Sequence, residues 1–352
     1  MGKKEEMIAA IQKELVMRAS EFQDDEVSNI YFGGGTPSVL ETVEIDAIME
    51  TCFTNYSIER NPEITLEANP DDLTSEKIEQ LAASKINRLS IGVQSFFAED
   101  LTLMNRAHNA QEAIDCITLS RKRFPNSSID LIYGIPGMSV ARWEENIDKA
   151  LALGAPHISA YALTVEPKTA LENFIKKGII PPVEDEVAQA HHALLIEKME
   201  AAGYENYEFS NFALPGFFSR NNTAYWQGKK YIGIGPSAHS YDGKRRAWNV
   251  NNNPKYIKAI TSDTLPQEVE VLSKTDQYNE YVMTRLRTQY GISLNEVTSL
   301  FGNKMLDYLH TQSQKHLEEH LLFIDGDRLY VSKKGKFLSD GIAADLFMLN
   351  LG

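Results

Sequence analysis

The chain has 352 residues, with 35 Lys and Arg against 49 Asp and Glu for a net charge of −14, and only two cysteines. That length accommodates one large α/β domain plus a smaller one, because single cores stop growing at roughly 250–300 residues. The acidity argues against nucleic acid or an anionic membrane as the main partner. Two cysteines exclude a disulfide scaffold and, with no 18-residue apolar run and no apolar signal core after Met1, lead to the expectation of a soluble cytoplasmic protein.

The chain opens in an amphipathic helix, with Met7, Ile8, Ile11, Leu15 and Val16 at helical spacing where a strand would be expected first. Strand and helix signals then alternate with short connections, the sign of parallel βαβ units. Candidate strands are 27–32, 63–68, 88–93, 128–133, 157–163 and 204–209. Between them Ile45, Ile48, Met49, Cys52 and Phe53 make one apolar stripe and Ala113, Ile114 and Ile117 another, while Thr74 caps the helix carrying Ile78 and Leu81. The expected fold class is α/β, a partial or complete β/α barrel over 1–210, with a doubly wound open sheet as the lesser reading. A loop-rich covering segment is expected over 211–265. From 266 to 352 the order helix, helix restart near Gly291, helix, hairpin at Asp325-Gly326 and amphipathic tail suggests a small winged-helix-like α+β domain. Residues 271–352 carry nine Lys/Arg and ten Asp/Glu, a net of −1, which does not suit DNA.

The most informative stretch is Ile30-Tyr-Phe-Gly-Gly-Gly-Thr-Pro-Ser-Val-Leu40. Three successive glycines can take φ > 0 and let a ligand sit against bare backbone; Ser38 and Glu41 read as a capping box for the helix that follows. Polar residues also fall at the ends of the next strands: Glu67, Gln94 and Asp130. Singly, Glu67 reads as a rim carboxylate, Gln94 as a strand-end cap and Asp130 as an ion-pair partner for Arg106. Together at the carboxyl ends of parallel strands, beside the glycine triplet, they favour a ligand site. An amide, two carboxylates and an arginine suit a zwitterionic ligand bearing hydroxyls, not a triphosphate.

Cys52 and Cys116 lack metal-ligand spacing and read as core, and no catalytic or metal-ligating constellation is evident. His191-His192, mid-helix on a charged stretch, is expected to be solvated, and His239 is a candidate to face a ligand.

The motifs Tyr-Phe-Gly-Gly-Gly-Thr-Pro-Ser, Leu-Glu-Ala-Asn-Pro-Asp-Asp, Ser-Ile-Gly-Val-Gln-Ser-Phe, Met-Asn-Arg-Ala-His, Ile-Asp-Leu-Ile-Tyr-Gly-Ile-Pro-Gly and Asn-Tyr-Glu-Phe-Ser-Asn-Phe, in that order, resemble the oxygen-independent coproporphyrinogen III oxidase family of radical S-adenosylmethionine (SAM) proteins. The closer likeness is to its heme chaperone (HemW) branch. The resemblance implies a partial β/α barrel holding a [4Fe-4S] cluster and SAM, with a HemW-type C-terminal domain. It carries SAM contacts to Gly34, Gly35, Thr36, Glu67, Gln94, Arg106 and Asp130, with the methionine end on the glycine loop.

Two departures bear on function. The family's three cysteines within eight residues are absent, as the chain begins just downstream of where they would lie. Truncation, a misplaced start codon or real loss would each explain this, and this chain alone is expected to hold no cluster and to leave SAM uncleaved. Chaperone members also carry His-Asn-x-x-Tyr-Trp, whereas this chain has Asn221-Asn-Thr-Ala-Tyr-Trp226, so that Asn221, Tyr225 and Trp226, with His239 as a substitute ligand, are the candidate heme contacts. The favoured function is a heme chaperone-like protein that binds SAM and heme and serves a heme-accepting protein. The competing readings are a coproporphyrinogen III dehydrogenase and a cluster-less protein-interaction module.

Overall fold

The structure, a computed structural model, describes residues 3–349. In chain order it holds α1 (Lys4–Met17), β1 (Val27–Phe32), α2 (Thr42–Asn55), β2 (Ile58–Ala68), α3 (Ser75–Ala83), β3 (Arg88–Gln94), α4 (Ala98–Leu103) and α5 (Ala110–Arg123). There follow β4 (Ser127–Tyr133), α6 (Val140–Leu153), β5 (His157–Ala162), α7 (Ala170–Lys176), α8 (Asp185–Ala201), β6 (Glu205–Glu208) and β7 (Asn211–Ala213). The remainder comprises α9 (Arg220–Trp226), β8 (His239–Tyr241), β9 (Arg245–Asn249), α10 (Asn253–Thr261), β10 (Gln267–Val271) and α11 (Lys274–Leu286). It ends in β11 (Ile292–Ser293), α12 (Leu294–Phe301), α13 (Asn303–Glu318), β12 (Leu322–Asp325), β13 (Arg328–Val331) and α14 (Ser339–Asp345). These fall into two compact units: a barrel unit of Asn29–Thr42 and Glu63–Ser219, and a second unit of the segments up to Ser28, Val43–Pro62 and from Arg220 onward.

The barrel unit is built on a seven-stranded sheet in the order β1-β2-β3-β4-β5-β7-β6. Strands β2 to β5 run parallel, as the alternating strand and helix signals require. The sixth expected strand, however, does not extend the parallel series. Only Phe209 and Ser210 separate β6 from β7, too short a link for a parallel crossover, so the two form a hairpin in which β7 pairs antiparallel with β5. The result is the expected partial β/α barrel, closed at one side by an antiparallel pair.

One face of this sheet is apolar: Leu66, Leu89, Ile91, Ile129, Leu131 and Ile158 are fully buried, each contributing roughly 1.5–3 kcal/mol by leaving water. Helices α5 and α8 pack on it. Helix α6 buries Trp143, Ile147 and Ala150 at 3.6-residue spacing; Ser139 caps its start by accepting from the Arg142 N–H, and Gly154 ends it at φ +68°. Thr74 caps α3 through the Lys77 N–H as expected.

In the second unit α1 packs on α10 around Ala10, Tyr256, Ile257 and Ile260. The amphipathic reading of α1 holds for Leu15, but Val16 is half exposed and the charged Glu14 takes a fully buried place. Glu14 accepts from Tyr256 Oη at 2.6 Å, the Gly235 N–H at 2.8 Å, Asn249 Nδ2 at 2.8 Å and Arg18 Nη1 at 3.3 Å. The stretch read as loop-rich carries α9, β8, β9 and α10, and β8 to β10 form their own three-stranded sheet. At the C-terminal end, helices α11 to α14 and the sheet β11-β13-β12 enclose a core of Tyr278, Val282, Leu309, Leu329 and Ile342, in the expected winged-helix-like order.

Candidate functional site

Alternation along each strand puts the polar residues on the sheet face opposite the helices. The register aligns them across strands: Thr65 beside Arg88, Glu67 beside Ser90, Ser90 beside Ser128, Asp130 beside Ser159, and Ser159 beside Asn211. Most of this belt is buried and part of it is bonded together, the Ser128 and Ser90 hydroxyls lying 3.0 Å apart, while the buried Thr65 hydroxyl has no hydrogen-bond partner among the described residues. Towards the carboxyl ends the belt becomes accessible at Glu67, Asp130 and Tyr161.

There the glycine loop meets it. Gly34 and Gly35 adopt φ of +78° and +69°, which L side chains rarely take. The Gly34 N–H donates to Glu67 Oε2 at 3.1 Å, and Tyr31 Oη donates to Glu67 Oε1 at 2.8 Å. Thr36 follows at φ −140° and ψ 83°, and its carbonyl accepts from the Val39 N–H. Ser38 does not cap α2 as expected: its hydroxyl donates to Asp72 at 2.6 Å and accepts from the Asn69 N–H, tying the loop to the turn after β2. That tie uses the hydroxyl a cap would need.

Asp130 sits at the centre of the belt. Ser90 and Ser159 bond its carboxylate, but burial and the nearby Glu67 charge prevail and push its pKa up to about 6. Arg106 follows Asn105, a residue at φ +54°; burial lowers its pKa while the charges of Asp130 and Asp71 oppose that shift. Gln94 ends β3 at φ +67°, where the register with β4 shifts, and its amide lies over Gly92. The structure thus joins Gly34 to Glu67 directly and sets Asp130 within electrostatic reach of both Glu67 and Arg106. Gly35 and Thr36 lie beside them in the loop. Sequence reasoning missed Tyr31, Ser90, Ser159 and Tyr161; the signal available was their alternation with apolar residues along β1, β3 and β5.

The other candidates lie in the second unit. Tyr225 contacts Trp226 edge-on at 5.1 Å and Tyr231 at 5.8 Å, Tyr231 lies 6.2 Å from Tyr241, and the Arg287 guanidinium stands 5.1 Å over Trp226. Exposed His239 pairs across strands with Trp248, their rings 6.1 Å apart. Asn221 lies one turn before Tyr225 on α9.

His191 and His192 are not solvated, contrary to expectation. Both are buried; His191 Nδ1 accepts from the Gly134 N–H at 3.1 Å, and His192 stacks on Phe209 at 4.9 Å. The apolar sheet face recruits them because α8 lies against it. Cys52 and Cys116 are buried, with thiol pKa values raised by burial to about 11 and about 12. Among the described residues no group of three or more His, Cys, Asp or Glu is placed to hold a metal ion.

The fold places a glycine loop after the first strand of a half-barrel, and two carboxylates, an amide and an arginine in or just after the strands that follow. The model of the radical SAM superfamily matches residues 3–150, and that of the HemN C-terminal domain matches residues 272–338. The chain is 33% identical to the heme chaperone HemW of Lactococcus lactis, over 95% of this chain and 88% of that protein. To the heme chaperone HemW of Bacillus subtilis it is 32% identical, over 96% and 90%. Among solved structures, the coproporphyrinogen III oxidase HemN of Escherichia coli, described as a radical SAM enzyme, superposes with a TM-score of 0.85 at 23% identity, covering 98% of this chain and 83% of that one. The chain belongs to the radical SAM superfamily and, within it, to the family of the HemW heme chaperones.

That superfamily implies SAM and a [4Fe-4S] cluster. The residues at the strand ends fit SAM, offering unlike charges and acceptors around bare backbone. They do not fit the cluster: three thiolates must converge on it, and the two cysteines here are buried and protonated.

Proposed function

We propose that this chain is a heme chaperone-like protein that binds SAM on the polar face of its half-barrel and heme at the α9–β8 segment. The observation that carries the SAM assignment is the Glu67 carboxylate bonded to the Gly34 amide, with Asp130 near it and Arg106 near Asp130. A zwitterion bearing ribose hydroxyls complements that set. The Gly34–Gly35–Thr36 backbone would receive the methionine end, Glu67 its ammonium and Arg106 its carboxylate, leaving Gln94 and Asp130 for the hydroxyls. SAM serves radical chemistry only when a reduced cluster supplies an electron, and no such step is assigned to the residues here.

Support for heme comes from the relatives' names and from the aromatic, arginine-topped surface of Tyr225, Trp226 and Arg287. Asn221 supplies an amide where an imidazole would ligate iron. Asn221→His is therefore expected to tighten heme binding and move the Soret band to an imidazole-ligated position. An unchanged titration and spectrum would refute this segment as the heme site, and loss of the wild-type spectrum in His239→Ala would move the site to β8. A heme-accepting protein would be the partner and the cytoplasm the compartment; no helix among the described residues is long and apolar enough to cross a membrane.

A further inference from the structure

Glu67 is held on both oxygens before any ligand arrives. Tyr31 Oη donates to one at 2.8 Å and the Gly34 N–H to the other at 3.1 Å. A carboxylate has about four lone-pair directions, so two remain for a ligand, and their aim is set by the two donors already in place. The Tyr31 ring also lies directly against the glycine loop: a Cβ at Gly33 would come within 2.5 and 2.9 Å of two ring carbons and 3.0 Å of Glu67 Oε1. This explains the first glycine of the triplet, whose φ is not positive and which therefore needs no conformational freedom. Gly34 and Gly35 have open space at the Cβ position and are required by φ instead. One residue, Tyr31, thus touches both the backbone and the side chain that flank the same point.

We infer that Tyr31 is a positioning residue that orients Glu67 toward the ammonium of an amino-acid-bearing nucleoside and that sets the requirement for glycine at position 33. This rests on the SAM reading of the site. The phenol keeps its proton at every working pH, because burial and the neighbouring Glu67 both disfavour the phenolate, so it acts as a donor throughout. Its bond reaches the ligand only through Glu67. Its loss should therefore be felt by ligands that carry the ammonium and not by those that lack it.

The test compares S-adenosylhomocysteine with 5′-methylthioadenosine, which shares the nucleoside and thioether but has no amino-acid end, by ligand-observed NMR titration of the chain as it stands. Tyr31→Phe should weaken S-adenosylhomocysteine by about five- to tenfold and methylthioadenosine by less than about twofold, narrowing the gap as Glu67→Gln does. Gly33→Ala should narrow the same gap by pushing the ring aside, and adding Tyr31→Phe to it should cost little more, since the two act on one contact. A general structural defect would weaken both ligands alike. If wild type binds, Asp130→Ala weakens both ligands and Tyr31→Phe leaves the gap unchanged, the positioning role is wrong while the SAM reading stands. If wild type binds neither ligand, or Glu67→Gln has no effect on either, both fall together.

Discussion

Replacing Asp130 by Asn should stabilise the fold and weaken the ligand, opposite effects from one atom. The carboxyl pKa rises from an ordinary 3.8 to about 6 in the folded chain, so between those values the folded state binds more protons than the unfolded one. Stability therefore falls as pH rises through that window and stays low above it. A shift of about 2 units corresponds to roughly 3 kcal/mol of destabilisation at neutral pH, an upper bound because solvent reaches the group and the Ser90 and Ser159 bonds relax with it. A neutral isostere keeps the serine contacts and removes the charge, so about 1–2 kcal/mol of stabilisation is expected at pH 7.5. At pH 4 the gain should nearly vanish, because wild-type Asp130 is then protonated. Thermal unfolding of both chains at the two pH values checks this. A difference that is the same at both, or a destabilised variant at pH 7.5, would refute the account of a carboxylate kept under strain for binding.

Two further outcomes follow from buried groups. Glu14→Ala should cost about 2–4 kcal/mol, because it takes the buried acceptor away from the Tyr256 hydroxyl, the Gly235 N–H and Asn249 Nδ2, while Arg18 keeps Glu21 and the Gly233 carbonyl; denaturant unfolding reads this, and a cost below about 1 kcal/mol would show that the network is not holding α1 in place. Cys52 and Cys116 should resist a thiol reagent at pH 8 in the native chain and both react once it is unfolded, since burial keeps each thiol protonated; fast native labelling of either would contradict their place in the core.

The repeating part of the fold was legible because each βα unit carries its own signals: Thr74 before α3, the alternating Leu89, Ile91 and Val93 of β3, and the apolar stripe of α5 through Ala113 and Ile117. What failed to read was decided by partners distant in sequence. Three-residue β7 has too few positions for a period, and its antiparallel place depends on the two-residue link behind it. His191 and His192 look solvated among charged neighbours, yet α8 turns them onto the sheet. Glu14 breaks the apolar stripe of α1, and only Tyr256, Asn249 and Gly235, more than 200 residues on, explain why it can be buried. Within the site the residues at strand ends could be found from position alone, whereas Tyr31 is recognised only by the bond it makes to Glu67.

The central claim is that the polar strand-end face of the half-barrel is a SAM site. Calorimetric titration of SAM into the chain as it stands, with Asp130→Ala and Glu67→Ala alongside, tests it most directly. The account predicts saturable binding near roughly millimolar Kd in wild type, as expected without an iron to anchor the methionine end, and at least about tenfold weaker binding in each variant. Sub-micromolar binding, no saturable heat, or binding that both variants leave unchanged would contradict it.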